Sequence, residues 1–232
     1  MTEFNSNKYS VGWYKLAEFV VKKEKEKALG ILRLLVHSLN DSAFASQLEG
    51  DLLSSFQDPK AIDCYVKAAQ LFEKSSKTIE AVSVYEHLLT ISPETVEYLQ
   101  KLLSLYQILG HENKILASWV SLLDILVKKN MRNEVDELCS QSNTIFSDPL
   151  IVHQYVVMSF LRYGEVYGGH EGYGGFDRHI LNYHIERAIR YFINLDETTL
   201  NQFIARLSAL DAQSYTFACD VIKKKDYKKK AA

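Results

Sequence analysis

The chain has 232 residues, 47% of them apolar, with 3 prolines, 10 glycines and a formal net charge of -2. That much apolar surface supports a continuous core and excludes disorder over most of the length, while so few breakers exclude a sandwich or barrel that turns about every ten residues. Near-neutrality excludes a molecule built throughout for nucleic acid, so any basic function is local.

Met1 to Ser10 is polar and is expected to be disordered, and neither a signal peptide nor a spanning run is expected. From residue 11 onward apolar side chains recur at i, i+3, i+4, i+7, the stripe of a helix that buries one side. Trp13, Leu16, Ala17, Val20 form one set and Leu99, Leu102, Leu103, Tyr106 another. Trp119, Leu122, Leu123, Leu126 follow, then Ile185, Ala188, Ile189, Phe192, then Leu200, Phe203, Ile204, Leu207, and lastly Tyr215, Ala218, Cys219, Ile222. About twelve helices are predicted, near 11–23, 25–38, 42–56, 59–74, 76–91, 94–109, 112–128, 131–146, 149–163, 177–194, 197–209 and 212–225. Asp58-Pro59, Ser92-Pro93 and Asp148-Pro149 each set a capping side chain before a proline, which is expected at the first helical position. Cys64, Cys139 and Cys219 are far apart and set among apolar residues, which suits buried thiols in a reducing compartment.

Uniform lengths and short connections predict antiparallel hairpins. A small residue, a large one four later and a small or apolar one three further on recurs as Ala28, Leu32, Leu35; Ala61, Tyr65, Ala68; Ala81, Tyr85, Leu88; Ile115, Trp119, Leu122; and Ala188, Phe192, Leu195. The small residue lets two axes approach and the large one fills the space one turn along. Here the chain resembles the tetratricopeptide repeat family of helix-turn-helix solenoids. Trp13, Leu16, Ala17, Val20 followed by Ala28, Leu32, Leu35 stand in the order of that family's two helices. Gly50, Leu53 with Ala61, Tyr65, Ala68 match again, and Ala81, Tyr85, Leu88, Pro93 add the closing proline. Ala81 to Ile115 is 34 residues, one such repeat, but Ala61 to Ala81 is only 20. That is a break in phase, making the helix near 59–74 second in one repeat and first in the next. Residues Ala61 to Leu89 are also similar to the helical layers of the soluble NSF attachment proteins. Composition sets off a Gly/Tyr-rich insertion at 164–176 and a lysine-rich tail at 223–232. The resemblance implies an all-α, right-handed superhelical solenoid of antiparallel hairpins over 11–163 that continues over 177–222.

It further implies a concave surface that binds a peptide or helix of another protein. Gln47, Asp51 and Ser54 on one first helix, and Gln100, Ser104 and Gln107 on another, fall away from the packing residues and are candidates for that groove. Family members that clamp a chaperone's C-terminal carboxylate use lysine and asparagine where Tyr14, Glu18 and Leu48 stand, so that mode is not expected. Six glycines lie between Tyr163 and Asp177, each costing a helix about 1 kcal/mol, which predicts a mobile insertion without a phosphate-loop motif. Its Tyr163, Tyr167, Tyr173 and Phe176 are candidates for an aromatic docking arm, a flexible spacer being the alternative.

His153, His170, His179 and His184 gather with Glu171, Asp177 and Glu186 nearby, and metal or acid–base work would need them to converge. His179 and His184 fall about 140° apart round a helix, so surface or capping histidines are expected instead. Lys223, Lys224, Lys225, Lys228, Lys229 and Lys230 with Asp226 carry +5 against -7 for the rest, which points to anionic lipid, nucleic acid or an acidic protein. The expected function is a non-enzymatic, cytoplasmic scaffold or adaptor without cofactor or metal. The alternatives are an enzyme or metal protein using 153–184, and an adaptor tethered by its lysines to membrane or nucleic acid.

Overall fold

The structure, a computed structural model, describes residues 6–37, 39, 41–163 and 178–230. Among them all regular structure is helical: α1 (Ser6–Val21), α2 (Lys25–Val36), α3 (Ser42–Ser55), α4 (Lys60–Lys74), α5 (Thr78–Ile91), α6 (Val96–Leu109), α7 (Glu112–Lys128), α8 (Arg132–Ile145), α9 (Ile151–Tyr163), α10 (Arg178–Leu195), α11 (Glu197–Leu210) and α12 (Ala212–Lys230). The chain divides into two compact units, Met1–Ser118 and Trp119–Ala232, and the division falls inside α7.

Both ends differ from expectation. α1 begins at Ser6 rather than near 11, and α12 continues to Lys230, so the lysine run is the end of a helix. Lysine is a good helix former, and cations suit a helix C-terminus. The prolines also sit differently. Pro59 is the N-cap of α4, and Pro93 and Pro149 precede the first residues of α6 and α9 by a short turn. In each case the residue before proline accepts a hydrogen bond three residues on: Ala61 N–H to Asp58, Thr95 N–H to Ser92 and Ile151 N–H to Asp148. Proline is therefore the second residue of a β-turn leading into the helix, the position its fixed φ favours, because the residue before it is held out of the helical region.

Five helices end on a residue with left-handed backbone: Lys23 (φ 56°), Gln57 (56°), Ser76 (56°), Gly110 (67°) and Asn130 (58°). At each, the next N–H reaches back five residues, Glu24 to Phe19, Asp58 to Leu53, Lys77 to Phe72, His111 to Tyr106 and Met131 to Leu126. This closure satisfies carbonyls that the helix end would leave bare. Along the chain the turns are 34 residues apart from Lys23 to Gln57, 19 to Ser76, 34 to Gly110 and 20 to Asn130. The break in phase at Ala61 to Ala81 is thus not a slip. It belongs to a three-helix period, 53 residues from Lys23 to Ser76 and 54 from Ser76 to Asn130.

In the first unit consecutive helices pack in order from α1 to α6. The predicted triplets are its core: Ala28 and Ala81 are wholly buried, as are Leu32, Tyr65, Ala68, Tyr85 and Leu88 to within a few per cent. Gly50 is required, since a Cβ there would lie 2.8 Å from the Tyr65 ring. Tyrosine hydroxyls donate across successive interfaces, Tyr65 to Asp51 at 2.9 Å, Tyr85 to Glu73 at 2.6 Å and Tyr106 to Glu86. Ion pairs instead join alternate helices: Lys25 with Asp58, Lys77 with Asp41, Lys101 with Glu73 at 3.1 Å and Lys114 with Glu86 at 3.0 Å. Side chains of alternate helices therefore reach one another along the first unit. Trp13 and Ala17 of the predicted α1 stripe are exposed, only Leu16 being buried.

In the second unit α10 packs on α9, α11 and α12, burying Val157, Ile185, Ala188, Ile189, Phe192, Phe203 and Leu207. Leu195, expected to close a triplet, is 55% exposed because α10 ends there and α11 turns away at the Asp196 cap. Arg178 pairs with Asp211, which caps α12 through the Ser214 N–H at 2.9 Å, again joining the starts of alternate helices. Cys64, Cys139 and Cys219 are free and half-buried rather than fully buried. Burial pushes the Cys139 thiol up to about 12, so it stays protonated.

Candidate binding cleft

A concave cleft lies within the second unit. α9 turns Gln154, Tyr155, Met158 and Arg162 to one side, Gln154, Met158 and Arg162 four apart and Tyr155 three before Met158, spacings that keep them on one helix face. α11 turns Thr199, Gln202, Phe203 and Arg206 towards them at spacings of three and four. Between the two faces, on a floor that includes Phe192 of α10, is a cleft of about 720 Å³. Phe192 and Phe203 are 1% and 4% exposed, with ring centroids 5.0 Å apart, so the floor is part of the core and rigid. Thr199 is held by Asp196, whose carboxylate accepts from the Thr199 N–H at 2.7 Å and from its hydroxyl, and those bonds keep the carboxyl below its usual range. The rim is cationic. Arg162 bonds Asp124 at 3.3 Å, while Arg206 is exposed and makes no ion pair with any described residue.

The predicted groove residues lie elsewhere. Asp51, Ser54, Gln100, Ser104 and Gln107 are exposed and Gln47 half-buried, all in the first unit. Two of them serve the fold: Asp51 accepts the Tyr65 hydroxyl, and the Ser104 hydroxyl donates to the Lys101 carbonyl at 2.8 Å. The α3 set and the α6 set share no hydrogen bond among the described residues. Tyr163 is half-buried under the Arg162 guanidinium, 5.9 Å from its ring. Tyr167, Tyr173, Phe176 and the rest of the 164–176 insertion, His170 included, lie outside the described residues. Lys223 and Lys224 are exposed, Lys223 4.0 Å from Asp220, and the side chains of Lys225, Lys228, Lys229 and Lys230 lie outside the description.

The histidines require a correction. His153 of α9 and His184 of α10 were expected at the surface or in caps, yet they meet, Nδ1 to Nδ1, at 2.7 Å. One nitrogen donates and the other accepts, so the accepting ring is neutral, and burial keeps the donating ring neutral too, in the opposite tautomer. Burial pushes His153 down to about 4 and His184 down to about 3, with Arg187 and, for His184, the His153 ring adding to the effect. Among the described residues no group of three His, Cys, Asp or Glu could hold a metal ion, and His179 is exposed. The pair therefore acts as a polar staple between α9 and α10.

No described helix is long and apolar enough to cross a membrane. No family model matches the chain, and no curated protein matches it.

Proposed function

We propose that the chain is a non-catalytic interaction scaffold, an adaptor whose helical repeats hold a segment of another protein. The α9–α11 cleft carries this reading: polar and cationic walls over a phenylalanine and methionine floor have the composition of a surface that binds through a few buried anchors inside a polar rim. Each well-seated anchor contributes about 1.5–3 kcal/mol. The exposed amides of Gln100 and Gln107 offer the first unit a hydrogen-bonding surface of its own. Three free thiols accord with a reducing cytoplasm. Affinity capture from native extract supplies candidates, and reconstitution from purified components decides: a saturable, stoichiometric complex by calorimetry is the expected outcome. If every captured candidate fails to rebind once purified, the scaffold reading is lost.

A second, local reading attaches to α12. Because the helix runs to Lys230, its lysines are carried on ordered backbone, which favours contact with an anionic membrane or nucleic acid. Salt-sensitive binding to anionic vesicles or RNA, abolished in a chain ending at Asp220, is expected; binding indifferent to that truncation removes it.

A further inference from the structure

The charge of the cleft narrows its occupant, on the premise that it binds protein at all. Its rim carries two guanidinium groups, and no Asp or Glu among the described residues is part of the lining. Asp124 already holds Arg162, but Arg206 stands exposed without an acidic partner among the described residues, beside the Gln202 amide on the same helix. A guanidinium offers a planar fork of donors that matches a carboxylate, and amide side chains bond peptide groups. Beneath them the floor is apolar. The volume falls in the range of about 300–1,000 Å³ typical of ligand pockets, enough for a short anchoring segment and too small for a folded domain.

We infer that the α9–α11 cleft binds an acidic amphipathic peptide segment. Its aliphatic or aromatic anchors seat on the accessible apolar lining, Val120, Met158 and Leu210, over the buried phenylalanines, and its internal Asp or Glu side chains are held by Arg206 and, in exchange with Asp124, by Arg162. A polynucleotide needs a longer track of cations than two arginines, and the aromatic floor is buried in the core rather than offered for base stacking. A bilayer fits a concave slot poorly.

A phage-displayed library of random peptides, panned on the full chain, tests this. Enriched peptides are expected to combine Asp or Glu with Leu, Ile or Phe, and to lose about tenfold in affinity against Arg206→Glu. Arg206→Lys, which keeps the charge and loses the fork, should lie between. The site is exposed, and unchanged far-ultraviolet circular dichroism of both variants confirms folding. Peptides that bind equally well to Arg206→Glu, or that carry no acidic excess, overturn the inference and leave the scaffold reading standing. Failure to enrich any peptide overturns the inference, while the scaffold reading stands or falls by the reconstitution described above. Arg206-dependent binding of poly-uridine RNA or phosphatidylserine vesicles in place of the peptides overturns the inference in favour of those ligands. Arg206-dependent dimerisation by light scattering overturns it in favour of a second copy.

Discussion

The first unit ties its neighbouring helices with tyrosine hydroxyls on carboxylates, whereas the second ties α9 to α10 with two neutral imidazoles. Both devices fix the register of one helix on the next, but they respond to opposite ends of the pH scale. Burial and the Asp51 carboxylate push the Tyr65 hydroxyl up to about 12, and burial with Glu73 and with Glu86 raises Tyr85 and Tyr106 further. These groups stay neutral in the folded chain while an unfolded chain loses their protons above pH 10, so the first unit loses stability as pH rises through that range. His153 and His184 do the reverse. Their folded pKa values lie below the ordinary 6.5, so an unfolded chain takes up protons first, and the second unit weakens as pH falls from about 6.5 towards 4.

The largest effect expected from breaking this contrast is in the aromatic core. Phe192→Ala should cost about 3–5 kcal/mol in urea unfolding, because it empties a 1% exposed site that other side chains cannot refill. A loss below 1 kcal/mol would show that the second unit is loosely packed. Next comes the imidazole pair: between pH 6.5 and 4 stability should fall by about 1 kcal/mol per pH unit, below the ideal value because His153 is only half-buried. Replacing both histidines by leucine should flatten that slope, and an unchanged slope would place the acid sensitivity elsewhere. Gly50→Ala should cost about 1–3 kcal/mol, since the new methyl displaces the Tyr65 ring and with it the bond to Asp51. A neutral result by thermal melting would mean that α3 and α4 separate freely. The smallest effect belongs to Tyr85→Phe, about 1 kcal/mol, because Glu73 keeps Lys101 as a partner. That variant should also lose part of the decline above pH 10, and if it declines as steeply as the parent the tyrosine rungs are not its source.

How much was legible follows from the range of each signal. Leu99, Leu102, Leu103 and Tyr106 could be read as core from spacing alone, and all four are buried, because a helix with neighbours on both sides writes its burial into one stripe. Trp13 carries the same spacing in α1 and is 40% exposed, since spacing marks a face without saying what covers it. The three-helix period was hidden because four of its five left-handed turns use Lys, Gln, Ser and Asn. Those closures are made by backbone, so only Gly110 advertises one. In α11 the stripe of Phe203 and Leu207 was readable, but Thr199, Gln202 and Arg206 beside it acquire meaning only when α9 stands opposite. Likewise His153 and His184 are 31 positions apart, and no rule within one helix pairs them.

The three-helix period has a consequence for what its turns demand of the sequence. Four of the five left-handed closures hold an L side chain where glycine would rest without strain, and the bonds that make them come from backbone N–H groups. Lys23, Gln57, Ser76 and Asn130 can therefore each give way to glycine with the closure intact, whereas Gly110 cannot take a β-branched residue without strain. The period is written in the spacing of the turns and not in the residues that occupy them, so it survives substitution at four of its five marks.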